Sequence, residues 1–331
     1  MLAIVAPGQG AQTPGFLSPW LELPGLRDRA QALSDAAEVD LVTHGTTSDA
    51  DTIKDTAVAQ PLIVGAGLLA FSALFDADHP ADAVGVGGGH SVGEITAAAF
   101  TGVLGDDDAM RFVGTRGRAM AQAAAVTPTG MAAVLGGDPD EVLAVIERHS
   151  LTPANVNGGG QIVAAGTMEQ LAALREDPPA KAKVIPLQVA GAFHTEHMAP
   201  AVEELAALAN TLTPAAPRVR LLSNKDGQVV DNGDEVLQRL VSQVSNPVRW
   251  DLCQQTMLDL GVTGLIELAP AGTLVGLAKR AMKGVAAVAV KTPDDIDQAR
   301  ALIAEHGGAA DPSSTTSTAG TSGTASTEES R

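Results

Sequence analysis

Short, mostly apolar runs of about five residues recur along the chain, separated by longer stretches in which apolar residues return every three or four positions. The short runs at 2–6, 83–87, 219–223, 264–268 and 286–290 read as strands buried on both faces, because a strand with one wet face would alternate. Helical spacing marks the segments near 58–75, 92–103, 107–124, 196–211, 234–245 and 271–283. Strand and helix in alternation predict an α/β fold, a mainly parallel sheet with helices on both faces.

The pattern changes between 128 and 190. A strand at 131–135 is followed by a helix that Asp138 caps, with Glu141 as its capping-box partner, running to about His149. Two strands follow at 154–157 and 161–165, then a helix at 167–175 and a strand at 183–187. The order βαββαβ predicts a small ferredoxin-like unit set into the larger one. Pro128 and the Pro178-Pro179 pair punctuate its approaches. The expected organisation is therefore a large α/β-hydrolase-like subdomain, 1–127 and 191–306, and a small ferredoxin-like subdomain, 128–190. In the last 21 residues, 12 are Ser or Thr and none is a large apolar residue. Such a segment has nothing to bury against its ordering entropy, so 307–331 is expected to be a disordered tail.

Composition narrows the function. A formal charge of −18 over 331 residues argues against nucleic acid or an anionic membrane as partner. The single cysteine, Cys253, excludes an intrachain disulfide and reads as a buried, inert thiol. The first residues read as a strand rather than a signal peptide, and residues 61–71, the nearest approach to a membrane span, are too short. A cytoplasmic protein is expected.

The candidate chemistry sits at Gly87-Gly88-Gly89-His90-Ser91-Val92-Gly93-Glu94. A phosphate loop would need lysine where Glu94 stands, and a dinucleotide fingerprint fails because its sixth position is Val92. What fits is Gly-x-Ser-x-Gly between a strand and a helix, the nucleophile-elbow pattern: the turn lifts a strained serine hydroxyl off the sheet, with a helix N-terminus behind it. Such a serine needs a base. His44, His79, His149 and His306 lie in polar segments and read as solvent-facing. His90 reads as a structural contact, since neighbours on a tight turn point apart. His194 and His197 remain, in Gly191-Ala192-Phe193-His194-Thr195-Glu196-His197, and His194, on the loop after a strand, is where a base belongs. No motif supplies a third ligand to that pair, so no metal is expected. Glu196 is expected to face solvent.

Pro7-Gly8-Gln9-Gly10-Ala11-Gln12, Gly89-His90-Ser91-Val92-Gly93-Glu94 and Gly191-Ala192-Phe193-His194-Thr195 together resemble the malonyl-CoA:acyl carrier protein transacylases of type II fatty acid synthesis, in order and spacing from residue 2 to about 305. The resemblance implies Ser91 as nucleophile and His194 as base. It implies Gln9 and Val92 as donors of backbone N–H groups to the oxyanion. Arg116, in Arg116-Gly117-Arg118, would bind the malonyl carboxylate, leaving Arg118 on the surface. Gln243 joins the substrate-binding group by alignment on Asn246-Pro247-Val248 and would hold the histidine through its backbone carbonyl. Asn157 and Asn224 are weighted as structural. Phe193 and Val92 resemble malonyl-selective relatives, because a bulky side chain there crowds an α-methyl branch. The implied substrates are malonyl-CoA and holo acyl carrier protein, with no bound cofactor and a monomeric enzyme. Lys279, Arg280 and Lys283 are candidates for docking the acidic carrier, although cations also suit a helix C-terminus by themselves. The rival reading is a serine esterase or thioesterase on a related α/β scaffold, for which no motif places an acid as third member.

Overall fold

A computed structural model of the chain describes residues 1–76 and 81–307; His79 and the Ser/Thr-rich segment from 308 onward lie outside the described residues. Eleven strands are present among them. They are β1 (Leu2–Ala6), β2 (Val84–Gly89), β3 (Thr129–Gly136), β4 (Thr152–Gly158), β5 (Gln161–Thr167), β6 (Ala182–Pro186), β7 (Arg220–Leu222), β8 (Val229–Val230), β9 (Val248–Arg249), β10 (Gly264–Glu267) and β11 (Ala286–Ala289). The first sheet has the order β11-β10-β1-β2-β7-β8 and is parallel except for its last pair. The second, β6-β3-β5-β4-β9, is antiparallel through its first four strands. Those four carry the ferredoxin-like βαββαβ order, and all five runs expected in the larger sheet are strands of it.

The second sheet is completed from outside the insertion. The two residues of β9 pair in parallel with β4, Asn155 opposite Val248 and Val156 opposite Arg249. No sequence pattern announces so short a strand, and it ties the smaller sheet to the larger part of the chain.

Helices Thr56–Leu74, Gly93–Phe100, Asp106–Ala124, Ala199–Ala209, Gly233–Gln243 and Thr273–Ala281 occupy the expected segments, the fourth preceded by a 3₁₀ turn at Glu196–Met198. Four further helices, Leu26–Ala37, Leu41–Thr46, Trp250–Asp259 and Ile296–His306, were not anticipated. The expectation that no span approaches membrane length is corrected: Thr56–Leu74 has 19 residues and is long and apolar enough to cross a bilayer. Its apolarity serves the core instead. The helix packs on Asp106–Ala124 and Gly93–Phe100 and is buried on nearly every side, which is why it shows no polar stripe. At the helix from Pro139, Asp138 accepts from the Asp140 and Glu141 amides as a cap should, but the Glu141 carboxylate reaches the Ala180 amide rather than closing a capping box. Glu267, at the end of β10, is buried and accepts from the amides of Gly272, Leu274 and Val275, so one carboxylate holds the start of helix Thr273–Ala281.

The sharpest packing constraint lies where β2 turns into helix Gly93–Phe100. A Cβ on Gly93 would stand 2.2 Å from the Ala6 carbonyl oxygen, and one on Gly89 would stand 2.0 Å from the Gly93 carbonyl carbon. Both obstacles are backbone and cannot swing aside. Gly89→Ala is therefore expected to destabilise the protein by about 3 kcal/mol, read from the shift in urea midpoint. Gly276→Ala, inside helix Thr273–Ala281 with no neighbouring atom beyond the adjoining residues and the helix's own backbone within 4 Å of the added carbon, is expected to stabilise it by about 0.5–1 kcal/mol.

Candidate active site

The ends of β1 and β2 lie side by side, Ala6 opposite Gly89, so the loops that follow them deliver Gln9 and Ser91 to the same edge of the sheet. Ser91 has φ of 53°, in the left-handed region that few non-glycine residues occupy. Asn224, from the loop after β7, holds it there: its Oδ1 accepts from the Ser91 amide at 2.7 Å while its Nδ2 donates to the Gly89 carbonyl at 2.7 Å. His194 is likewise at positive φ, 62°, with its amide donating to the Val244 carbonyl at 3.0 Å. The two strained residues meet. Ser91 Oγ lies 2.7 Å from His194 Nε2, and His194 Nδ1 lies 2.9 Å from the Gln243 carbonyl.

The carbonyl can only accept, so Nδ1 carries the ring proton and Nε2 is left to accept from the serine hydroxyl. That is the tautomer a base requires. Burial, reinforced by the positive charge of Arg116, pushes the His194 pKa down to about 3, so the ring is neutral at any physiological pH. Both ring nitrogens are engaged, which leaves neither for a metal.

Arg116 is 1% exposed. Its Nη1 donates to Gln60 Oε1 at 2.6 Å, and its Nη2 donates to Gln243 Oε1 at 2.7 Å and to Ser91 Oγ at 3.4 Å. Burial lowers its pKa to about 10 against the opposing pull of Glu94, so the guanidinium stays charged. Arg118 turns the other way, to the Ala37 carbonyl and Glu38.

Gln9, Ser91, Val92, Arg116, Phe193 and His194 line one cavity of about 90 Å³ between the two sheets, closed from the smaller side by Met131, Asn155, Leu187 and Val189. Among the described residues, neither the Gln9 nor the Val92 backbone N–H has a hydrogen-bond partner. Gln243, grouped by sequence with the substrate-binding residues, does not line this cavity. It stands behind it, its carbonyl on His194 and its side chain on Arg116, Glu94 and the Ser91 carbonyl. Lys279, Arg280 and Lys283 are exposed at the end of helix Thr273–Ala281, and Arg280 Nε donates to the Gly159 carbonyl of the β4–β5 turn.

Two participants escaped sequence reading. Gln60 belongs to an unbroken apolar helix and carries no motif. In the sequence Glu94 excludes a phosphate loop and ends the Gly89–Glu94 motif but carries no role of its own, yet it is 6% exposed, and burial raises its carboxyl pKa to about 7. His90 Nε2 donates to Asn157 Oδ1 at 2.8 Å, and the ring lies edge-on to Trp250. The expectation of solvent-facing histidines needs amendment: the side chains of His149 and His306 are only 14% and 15% exposed, bonded to the Asp177 carbonyl and Thr263. Glu196 is exposed and Cys253 is fully buried, where burial raises its thiol pKa.

A family model described as an acyl transferase domain matches residues 4–312. The chain belongs to the acyltransferase family. It is 54% identical over 298 residues to the malonyl CoA-acyl carrier protein transacylase of Mycobacterium tuberculosis strain H37Rv, covering 90% of this chain and 99% of that protein. It is 32% identical over 299 residues to the protein of the same description from Escherichia coli K12, covering 88% and 96%. Its fold superposes on the crystal structure of MCAT from Mycobacterium tuberculosis with a TM-score of 0.87, covering 90% and 99% of the two chains. Superposition on the malonyl CoA-acyl carrier protein transacylase of Coxiella burnetii, 27% identical, gives 0.86, covering 91% and 97%. The resemblance read from three motifs therefore extends over the whole acyltransferase fold.

The electrostatics of this acyltransferase site give a direct expectation. In an NMR titration the His194 ring should remain unprotonated throughout pH 5–8. Titration at the ordinary histidine value, about 6.5, would show that the ring is not held as described.

Proposed function

We propose that the chain moves a malonyl group from malonyl-CoA to the phosphopantetheine thiol of a holo acyl carrier protein through an ester on Ser91. The observation that carries this reading is the Arg116 guanidinium, buried, charged and 3.4 Å from the nucleophilic oxygen. A planar cation beside the attack site suits an acyl group that ends in a carboxylate, which it can hold by two parallel hydrogen bonds. An esterase handling uncharged chains would have no use for it there, and His194 leans on a neutral carbonyl rather than on an acid.

Ser91 gives its proton to His194 Nε2 as its oxygen attacks the thioester carbonyl. The negative charge that builds on that carbonyl oxygen is received by the free amides of Gln9 and Val92; one such donor is typically worth about 10²–10³ in rate. The tetrahedral adduct collapses with cleavage of the C–S bond, and the departing CoA sulfur takes the proton from His194. The malonyl ester stays with its carboxylate on Arg116. The carrier thiol then loses its proton to His194, attacks the ester and leaves as malonyl-carrier, while Ser91 recovers the proton. A thiolate leaves readily, so a Ser–His pair oriented by the Gln243 carbonyl suffices. Phe193 and Val92, at the cavity wall, disfavour an added α-methyl branch, worth about 1–3 kcal/mol.

Residues 1–127 with 191–306 supply the nucleophile, base and arginine in this reading, and 128–190 supplies the opposite wall. Nucleophile, base, arginine and oxyanion donors are all carried by this one chain. The exposed cations Lys279, Arg280 and Lys283 provide a local basic patch for an acidic carrier.

Intact mass after mixing with malonyl-CoA should show one malonyl adduct on the wild type and none on Ser91→Ala. Arg116→Ala should depress malonyl loading about 10²-fold while sparing acetyl loading, since it removes charge-assisted bonds only a carboxylate can make. Charge reversal at Lys279, Arg280 and Lys283 together should raise KM for the carrier and leave that for malonyl-CoA unchanged; an equal rise in both counts against the docking role.

A further inference from the structure

Behind the nucleophile, buried polar groups form one directed chain of hydrogen bonds that begins at Glu94. The carboxylate Oε1 accepts from the Asn224 amide at 2.6 Å, and Oε2 accepts from Gln243 Nε2. The same Gln243 nitrogen donates to the Ser91 carbonyl at 3.0 Å, and Gln243 Oε1 accepts from Arg116 Nη2 at 2.7 Å. We infer that Glu94 is a specificity-determining positioning residue: its carboxylate fixes which end of the Gln243 amide faces Arg116, and so aims the guanidinium at the acyl carboxylate. The inference rests on the malonyl reading of Arg116.

The argument is one of donor and acceptor polarity. A glutamine side chain is nearly symmetrical in shape but has a donating end and an accepting end. Ionised, as it is above its pKa of about 7, the Glu94 carboxyl only accepts, and a guanidinium only donates, so with Glu94 on one side and Arg116 on the other a single orientation satisfies every atom. Substituting Glu94 by Gln changes almost nothing in size. The Asn224 amide still requires an acceptor, which claims the new Oε1 and turns the new NH₂ toward the Gln243 NH₂. If Gln243 stays, two donors oppose each other. If it rotates, its NH₂ faces the Arg116 guanidinium and its oxygen faces the Ser91 carbonyl. Neither arrangement pairs every group: in the first the Gln243 amide is pushed from its place beside Arg116, and in the second Arg116 loses the acceptor that holds its Nη2. The charge of Arg116 survives; its aim does not. Arg239, which lines a second pocket on the far side of Glu94 from Ser91, is held by Asp226 and Glu235 and does not substitute as a partner.

The test is competition between malonyl-CoA and acetyl-CoA for Ser91, read as the ratio of the two adducts by intact mass. Only molecules that acylate are counted, so the ratio is independent of how much of a variant folds. Glu94→Gln should lower the malonyl-to-acetyl ratio about tenfold or more, the scale of an unmatched buried donor. Glu94→Asp, shorter but accepting at both oxygens, should retain more of the ratio than Glu94→Gln. Parallel losses of both adducts, a ratio unchanged or raised in Glu94→Gln, or the reverse order of the two variants would overturn the inference. A wild type that takes up no malonyl group would instead overturn the malonyl reading itself.

Discussion

Two residues in backbone conformations they would not choose by themselves face each other across 2.7 Å, and the site depends on that meeting. Each such conformation costs on the order of 1–3 kcal/mol and lasts only where its surroundings over-determine it. For Ser91 the surroundings are the close approach of Gly93 to the Ala6 carbonyl on one side and the two bonds of Asn224 on the other. For His194 they are the Val244 and Gln243 carbonyls. The larger sheet supplies the first pair of constraints and the end of helix Gly233–Gln243 supplies the second, so the catalytic distance is a statement about how those elements pack.

The same packing sets the electrostatics. A chain with a formal charge of −18 encloses a site whose central fixed charge is positive. Removal from water and the nearby guanidinium both work against a second cation, and the imidazole stays neutral as a result. The guanidinium itself remains charged because Gln60, Gln243 and Ser91 all present oxygen to it, replacing part of the lost hydration.

How much of this is legible in the sequence follows from the range of each interaction. The strands of the larger sheet, the βαββαβ insertion and the elbow are local patterns, and each reads directly. The helix Leu26–Ala37 starts at Gly25, in the left-handed region with no side-chain cap, so its entry carries none of the usual signals. The two residues of β9 are too few for any periodicity. Ser91 and His194 stand out through their turns. Glu94, Gln60 and Asn224 do not, because what gives them meaning is a partner 56 to 149 positions away. Burial of an acid cannot be seen in a residue that, by type, belongs at a helix N-terminus.

The clasp between the two sheets has a consequence for the base. The strand β9, which joins the smaller sheet, begins five residues after the carbonyl that holds the imidazole in its working tautomer. Only a few peptide units separate the β9–β4 pairing from Gln243, whose carbonyl orients the base. The pairing that closes the smaller sheet and the orientation of the histidine thus share one short stretch of chain.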